Sequence, residues 1–341
     1  MAAFQAQRKR KLEEGVGAGD GEAVYFNGYL DHAVHKKMLL DKARMKMYRE
    51  AFERNAHLFK GKVVMDIGAG TGILSLLAAR LGAKQVFSVE ASAMAKYCTK
   101  TAEENGYGDV ITVINGKVEE IGTVLPGDVQ KVDVIISEWM GLLLVQESVL
   151  DSVLYARDQF LRPNGVLFPS HARIYFCPVS MESEMNVWDD IEGFHFSTLK
   201  AYAKDQLIVN SPLRRHLAAS DLVSSPKLFK YFNLKTMKVE SVQQMRSSNL
   251  PFVVDRPFDA IAVWFDVRFA YCDKSKDSGS GGTAVILSTS PKEEARTHWG
   301  QAVIVLPQTV PAEKGQKLHI SCEMGQSEPN HRLYEVSFNI Q

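Results

Sequence analysis

The stretch Lys62-Val-Val-Met-Asp-Ile-Gly68-Ala-Gly-Thr-Gly72-Ile-Leu-Ser-Leu-Leu-Ala-Ala-Arg80 decides the fold of this chain. A short apolar run of strand character enters a glycine-rich loop and leaves it with helical spacing. A second apolar run, Gln85-Val-Phe-Ser-Val89, follows and closes at Glu90. Strand, glycine loop, helix, strand and acid in that order are a βαβ nucleotide-binding unit, in which Gly68, Gly70 and Gly72 let the backbone turn tightly and approach a ligand. The fold class expected is therefore α/β and Rossmann-like.

The charge around that loop selects among ligands. Asp66 shortly precedes the glycines and repels a phosphate placed nearby, so a dinucleotide fits poorly and a cation fits well. S-adenosylmethionine carries a sulfonium, an α-amino group, a ribose diol and an adenine, but no phosphate. Glu90 can accept from the ribose hydroxyls. Glu119, after the strand Val110 to Ile114, is placed for the adenine amino group, although Glu120 adjoins it and a solvated loop acid reads equally well.

Further along, the apolar strand Val132 to Ile136 runs into Ser137-Glu-Trp-Met-Gly-Leu-Leu-Leu-Val-Gln-Glu147. Glu138 and Glu147 at the mouth of an open α/β sheet form a receptor for a cation. A helix from Glu147 to Leu161 should follow, then a turn at Pro163-Asn-Gly165, the strand Val166 to Phe168 and a domain boundary at Pro169. Beyond it the period becomes two: Ile261, Val263, Phe265, Val267 and Phe269 alternate with Ala262, Trp264, Asp266, Arg268 and Ala270. The second half reads as mainly β, with Asp277-Ser-Gly-Ser-Gly-Gly282 as a hairpin tip and a helical insertion over about 194–217.

Composition sets the outer limits. The 341 residues carry 40 Lys+Arg against 40 Asp+Glu, a formal net charge of zero, so no global charge marks a nucleic-acid or membrane-surface binder. Cys98, Cys177, Cys272 and Cys322 are scattered without a C-x-x-C pair, and neither a signal peptide nor a long apolar span is evident. An intracellular, reducing compartment fits, cytoplasmic or nuclear. Residues 1–22 have the composition of a disordered tail, in which Arg8-Lys-Arg-Lys11 reads either as a solvated charge run or as a nuclear-import patch. From Tyr25 to Phe59 the pattern is helical and rich in ligand-competent groups: Tyr25, Phe26, Tyr29, His35, Asp41 and Arg44. Taken alone, Arg44 reads as a surface cation on an amphipathic helix.

These segments together resemble the protein arginine methyltransferases. The resemblance is carried by Tyr25-Phe-Asn-Gly-Tyr29, His35-Lys-Lys-Met-Leu-Leu-Asp41, Arg44, Val64 to Leu74, Ser137-Glu-Trp-Met-Gly141, Glu147 and Thr297-His-Trp299, in family order along nearly the whole chain. It implies a Rossmann-like S-adenosylmethionine domain over 23–169 and a β-barrel-like substrate domain over 170–341, whose helical arm joins two copies into a homodimer. It implies cofactor contacts from Tyr25, His35, Met38, Arg44, Asp66, Gly68, Gly70, Gly72, Glu90 and Glu119, with Arg44 on the methionine carboxylate. Glu138 and Glu147 become the double-acid clamp, Asp41 the orienter of His298, and Tyr29, Trp139, Met140 and Trp299 the substrate walls.

The implied reaction is methyl transfer to a terminal guanidino nitrogen of protein arginine, leaving S-adenosylhomocysteine and requiring no metal. Met38 matches a methionine of the branch that makes asymmetric dimethylarginine, the type I branch, while Leu142 and Val149 depart from a usual tyrosine and methionine beside the substrate pocket. Histone tails and Arg/Gly-rich proteins are the substrates that the resemblance suggests. A small-molecule methyltransferase would share the glycine loop but have no use for the two acids together with Thr297-His-Trp299. A noncatalytic scaffold would be expected to have lost one of the acids.

Overall fold

Five strands that are apolar on both faces build the first layer, as expected of a sheet covered by helices on each side. In the computed structural model these are β2 (Val63–Ile67), β3 (Gln85–Glu90), β4 (Ile111–Asn115), β5 (Val132–Ser137) and β6 (Leu161–Phe168). Their order is β4-β3-β2-β5-β6 with every pairing parallel. The chain therefore lays strands outward from β2 on one side and then returns to its other side, so the carboxyl ends of β2 and β5 flank a topological switch point. The glycine loop leaves β2 there, and Glu138 leaves β5. The structure describes residues 2–4, 25, 28, 29, 31–269, 284–328 and 330–341; Arg8 to Lys11, Cys272 and the tract Asp277 to Gly282 lie outside them.

The helical segment before the sheet is two helices, His32–Leu39 and Lys42–Arg54, divided at Asp41, which caps the second one. Glu147 and Ser148 take φ of +86° and +56°, so the helix expected from Glu147 starts only at Val149 and ends at Phe160. Pro163-Asn-Gly165 is not a turn but part of β6, where the pairing slips between Val132↔Leu161 and Val134↔Val166; a bulge absorbs the proline and glycine inside an edge strand.

The second half contains two antiparallel sheets. One has β7 (His171–Val179), β8 (Leu213–Arg215), β9 (Lys227–Asn233), β11 (Phe258–Phe269) and β13 (Gln301–Val310) in the order β8-β13-β11-β7-β9, with β12 (Val285–Ser288) also on β11. The other runs β1-β15-β14-β10, using β10 (Gln244–Val254), β14 (Gln316–Ser327), β15 (Asn330–Ile340) and β1 (Ala2–Phe4). Phe176 of the first sheet meets Phe252 and Phe338 of the second at 5.3 and 5.7 Å between ring centroids. Because Ala2–Phe4 pairs antiparallel with Phe338 to Ile340, the expectation of a tail detached over 1–22 does not hold for those three residues.

Along β11 the alternation is real, but both faces are covered. Ile261, Val263, Phe265 and Val267 enter the main core, while Ala260, Ala262 and Trp264 enter a second cluster beneath the arm. The arm helix is Ser197–Val209; Pro212 ends it, and Leu213–Arg215 forms a strand within the segment expected to be helical. The halves are joined by aromatic packing: Phe168 meets Phe52 at 5.3 Å, Phe59 at 5.6 Å and Phe269 at 5.0 Å.

Candidate active site

The floor of the cleft is the glycine loop and the end of β3. Gly72 begins the helix Ile73–Arg80 at φ +85°, and a Cβ there would lie 2.8 Å from the Cys98 sulfur, so both backbone and space require glycine. Glu90 is buried, with Oε2 accepting from Gly70 N and Oε1 from Ser92 N, each at 2.8 Å. A carboxylate has about four acceptor positions, so the clamped Glu90 keeps acceptor capacity facing the cleft it lines.

Asp66 does not reach the cleft. Its side chain is 1% exposed and accepts from Ser75 Oγ at 2.7 Å under the loop, with its other oxygen without a partner among the described residues. Burial raises its pKa to about 7, with the Ser75 bond opposing and Glu90 adding to the rise. The expectation that Asp66 contacts the cofactor and repels phosphate is corrected accordingly: the acid lies beneath the loop on Ser75, outside the cleft lining, and with a pKa of about 7 it is only partly ionised at neutrality. The acidic lining comes instead from Glu90, Glu119, Glu120, Glu138 and Glu147. Glu119 and Glu120 both line the cleft and both are exposed.

The double-acid loop is held at several points. Gly141 and Leu144 exchange backbone bonds at 2.9 and 3.0 Å, and a Cβ on Gly141 would sit 2.0 Å from Gln146 O. Trp299, buried, donates its indole N–H to Met140 O at 2.7 Å, so it pins the loop from beneath while Trp139 and Met140 line the cleft. The Trp139 indole N–H has no partner among the described residues.

Glu138 faces a permanent cation. Arg44 places Nη2 and Nε at 3.0 and 3.2 Å from Glu138 Oε2, and Nη1 at 3.1 Å from Met38 O. Arg44 is on the helix that Asp41 caps: Asp41 Oδ1 accepts from Arg44 N at 2.9 Å, and Oδ2 accepts from His298 N at 2.7 Å and lies 2.8 Å from His298 Nδ1. Burial pushes the Asp41 pKa up, but these bonds outweigh it and hold the acid below its ordinary value. The ionised Asp41 therefore accepts from Nδ1–H of His298, which leaves the other ring nitrogen, Nε2, outside this bond.

Glu147 has different company. Tyr29 and Tyr25 donate hydroxyls to its Oε2 at 2.5 and 3.2 Å, and burial raises its pKa despite those two bonds. Tyr25, expected on the cofactor side, is thus turned to the second acid. His35 Nε2 donates to Tyr29 O at 2.6 Å, which fixes the chain between the tyrosines and the first helix.

The sequence reading missed the residues that complete this corner. Arg332 donates Nη1 to Glu147 O at 2.8 Å, its carbonyl accepts from Glu147 N at 2.7 Å, and its guanidinium lies 4.1 Å from the Tyr25 ring centre. Ser148 Oγ donates to His331 O at 2.6 Å beside it. A lone arginine on a late hairpin carries no sequence signal of such a role.

The whole forms one cleft of about 960 Å³, lined from both halves of the chain. Comparison with known proteins is consistent along the chain. Residues 170–341 match the family described as arginine methyltransferase oligomerization subdomain, and residues 46–156 match that described as ribosomal protein L11 methyltransferase. Protein arginine N-methyltransferase 1 of Caenorhabditis elegans is 37% identical, over 93% of this chain and 87% of its own. Protein arginine N-methyltransferase PRMT10 of Oryza sativa subsp. japonica is 35% identical, over 95% and 91%.

This chain belongs to the protein arginine N-methyltransferase family. Among solved structures, Arabidopsis thaliana protein arginine methyltransferase 10 in an open conformation aligns with TM-score 0.78 and 32% identity, covering 93% of this chain and 94% of that one. The Trypanosoma brucei PRMT1 enzyme-prozyme complex with AdoHcy aligns with TM-score 0.77 and 34% identity, covering 92% and 94%. For a methyltransferase of this family, the pairing of Arg44 with Glu138 and of two tyrosines with Glu147 gives each acid its own support.

Proposed function

We propose that the cleft takes S-adenosylmethionine against the glycine loop and Glu90, and delivers its methyl group to a terminal nitrogen of a protein arginine gripped by Glu138 and Glu147. The residues fit the cofactor: Glu90 retains acceptor capacity for a diol, Glu119 or Glu120 can meet an adenine amino group, and the sulfonium faces an acidic lining. Arg44 keeps an Nη2–H beyond its bonds to Glu138, Met38 and Met45, which suits the α-carboxylate. When bound, the sulfonium supplies an electrophilic methyl carbon.

The chain's own residues then orient. A guanidinium is a planar five-donor fork that carboxylates bind bidentately, so Glu138 and Glu147 can hold it with one nitrogen free. Removing a proton from arginine first would cost about 7–9 kcal/mol at neutral pH. The acids instead draw positive charge away from the attacking nitrogen, and the proton leaves during or after transfer, with Nε2 of His298 as acceptor. Proximity and alignment supply most of the acceleration.

The expected products are mono- and asymmetric dimethylarginine, the type I outcome, with Met38 and Val149 lining the cleft; Leu142 packs against the core instead. The arm supports a homodimer: Leu207 and Ile208 pack inward, while Phe194 and Tyr202 remain 68% and 61% exposed. Histone tails and Arg/Gly-rich proteins are the substrates proposed. The buried free thiols Cys98, Cys177 and Cys322 accord with the cytoplasm or nucleus.

The observation that carries the reading is the pair of acids on one loop, each separately supported, facing an acid-lined cleft. Labelled S-adenosylmethionine should label an Arg/Gly-rich peptide and leave its arginine-to-lysine version unlabelled, with mass spectrometry of the product reporting degree and symmetry. Equal labelling of the lysine version would remove arginine as the acceptor. Light scattering that finds a fully active monomer at micromolar concentration would remove the dimer.

A further inference from the structure

Part of the cleft lining is basic. Arg214 is on β8, which pairs with β13 in the register Gln301↔Arg215 and Ala302↔Arg214. Gly300 fits so closely that a Cβ would lie 2.4 Å from Arg215 O, so the segment is fixed beside Thr297-His298-Trp299. Strand alternation divides its charges. Arg215 turns to Glu184, with Nε and Nη2 each at 2.9 Å from a carboxylate oxygen, whereas Arg214 lines the cleft.

Lys37 lines the same cleft from the first helix. His216 and Arg296 line an adjoining pocket of about 260 Å³ next to it. The cations lie together: burial first, then Arg296, Lys37 and Arg214, disfavour the charged form of His216, and Arg214 also favours the ionised form of Glu147. Among the described residues, none of Lys37, Arg214 and Arg296 has a carboxylate within 4.0 Å, and all three are exposed. The adjoining pocket also holds the Thr297 hydroxyl, 5% exposed by residue and without a partner among the described residues. Glu293 and Glu294 line that pocket as well, which leaves the Arg214 side as the place for a negative group.

We propose that Arg214 and Lys37, which line the cleft itself, read an anionic side chain of the substrate that lies close in sequence to the target arginine. It rests on the reading of this cleft as the site of arginine methylation. An acidic floor beside a basic wall selects a mixed-charge segment over a uniformly cationic one, by complementarity on both sides. The anion is a carboxylate of aspartate or glutamate, or the phosphate of a modified residue; both present the negative oxygens that arginine binds.

The test is steady-state kinetics on a glycine-rich peptide with one arginine, with aspartate scanned through the flanking positions against alanine and lysine. At one or more positions aspartate should raise kcat/KM roughly 2- to 5-fold through KM, the size of an exposed ion pair. Arg214→Glu should abolish that gain and give lysine the advantage at the same position, while still binding S-adenosylhomocysteine. Phosphoserine outperforming aspartate there would assign the wall to phosphate, and the reverse order to carboxylate. Aspartate that is neutral or harmful throughout, or a gain that survives in Arg214→Glu, overturns the proposal while peptide methylation stands. If no arginine peptide is methylated at all, the underlying reading falls and takes the wall with it.

Discussion

Glu138 and Glu147 end the same loop, yet the protein supports them by opposite means. Glu138 meets the Arg44 guanidinium at 3.0 Å, within a half of the chain that also builds the cofactor floor. Glu147 meets two tyrosine hydroxyls, and its backbone is tied to Arg332 of the other half. A charge countered by a fixed cation tolerates burial, whereas a charge held by neutral donors remains sensitive to its surroundings. Under the proposed function the first acid is thus coupled through Arg44 to the cofactor, and the second, whose pKa burial raises, to pH and to the β domain.

Glutamine at either position tests this most severely. Glu138→Gln and Glu147→Gln should each lower kcat by roughly 10²–10³-fold, the scale on which loss of a single charge-stabilising group acts. Calorimetry should find S-adenosylhomocysteine still bound by both, with weakening confined to Glu138→Gln because Arg44 spans acid and cofactor. Robust turnover by either variant would undo the clamp.

A smaller effect separates the halves. Arg332→Ala removes a charge-assisted bond to Glu147 O, so kcat/KM for peptide should fall roughly 10-fold, as expected for a bond of about 1.5 kcal/mol or somewhat more. The KM for S-adenosylmethionine should not change, and Arg332→Lys should recover part of the loss. A parallel rise in the cofactor KM would mean that Arg332 supports the fold generally rather than the second acid.

The gentlest probe is pH. Burial raises the Glu147 pKa and the Tyr29 bond lowers it, so Tyr29→Phe must raise it further. Glu147 grips a cation only when ionised; as pH falls through its raised pKa the grip is lost, at a higher pH than an ordinary carboxylate would set. The acid limb of kcat/KM should therefore move to higher pH in Tyr29→Phe. A limb that does not move assigns it to another group.

Much of this was legible in residue order because it rests on local pattern. The glycine loop, the acid ending β3 and the two glutamates are each announced by the apolar strand before them, and strand period fixes where the chain emerges from the sheet. What could not be read depends on direction or distance. Asp66 adjoins the loop in sequence, but its side chain points beneath it to Ser75. The left-handed backbone at Glu147 and Ser148 delayed a helix that apolar spacing alone would start earlier. His331 and Arg332 follow Asn330, and Arg214 stands beside Arg215, in β segments where nothing nearby distinguishes an anchor from a solvated side chain.

The bond from Arg332 to Glu147 spans 185 positions of sequence. A ribosome delivers the acid loop long before the hairpin that ties it, so a nascent chain can own a finished nucleotide floor while its second glutamate is still untethered. Contacts of such separation are costly to close. The second glutamate's tether is therefore among the last parts of the site to be synthesised, long after the residues of the glycine loop.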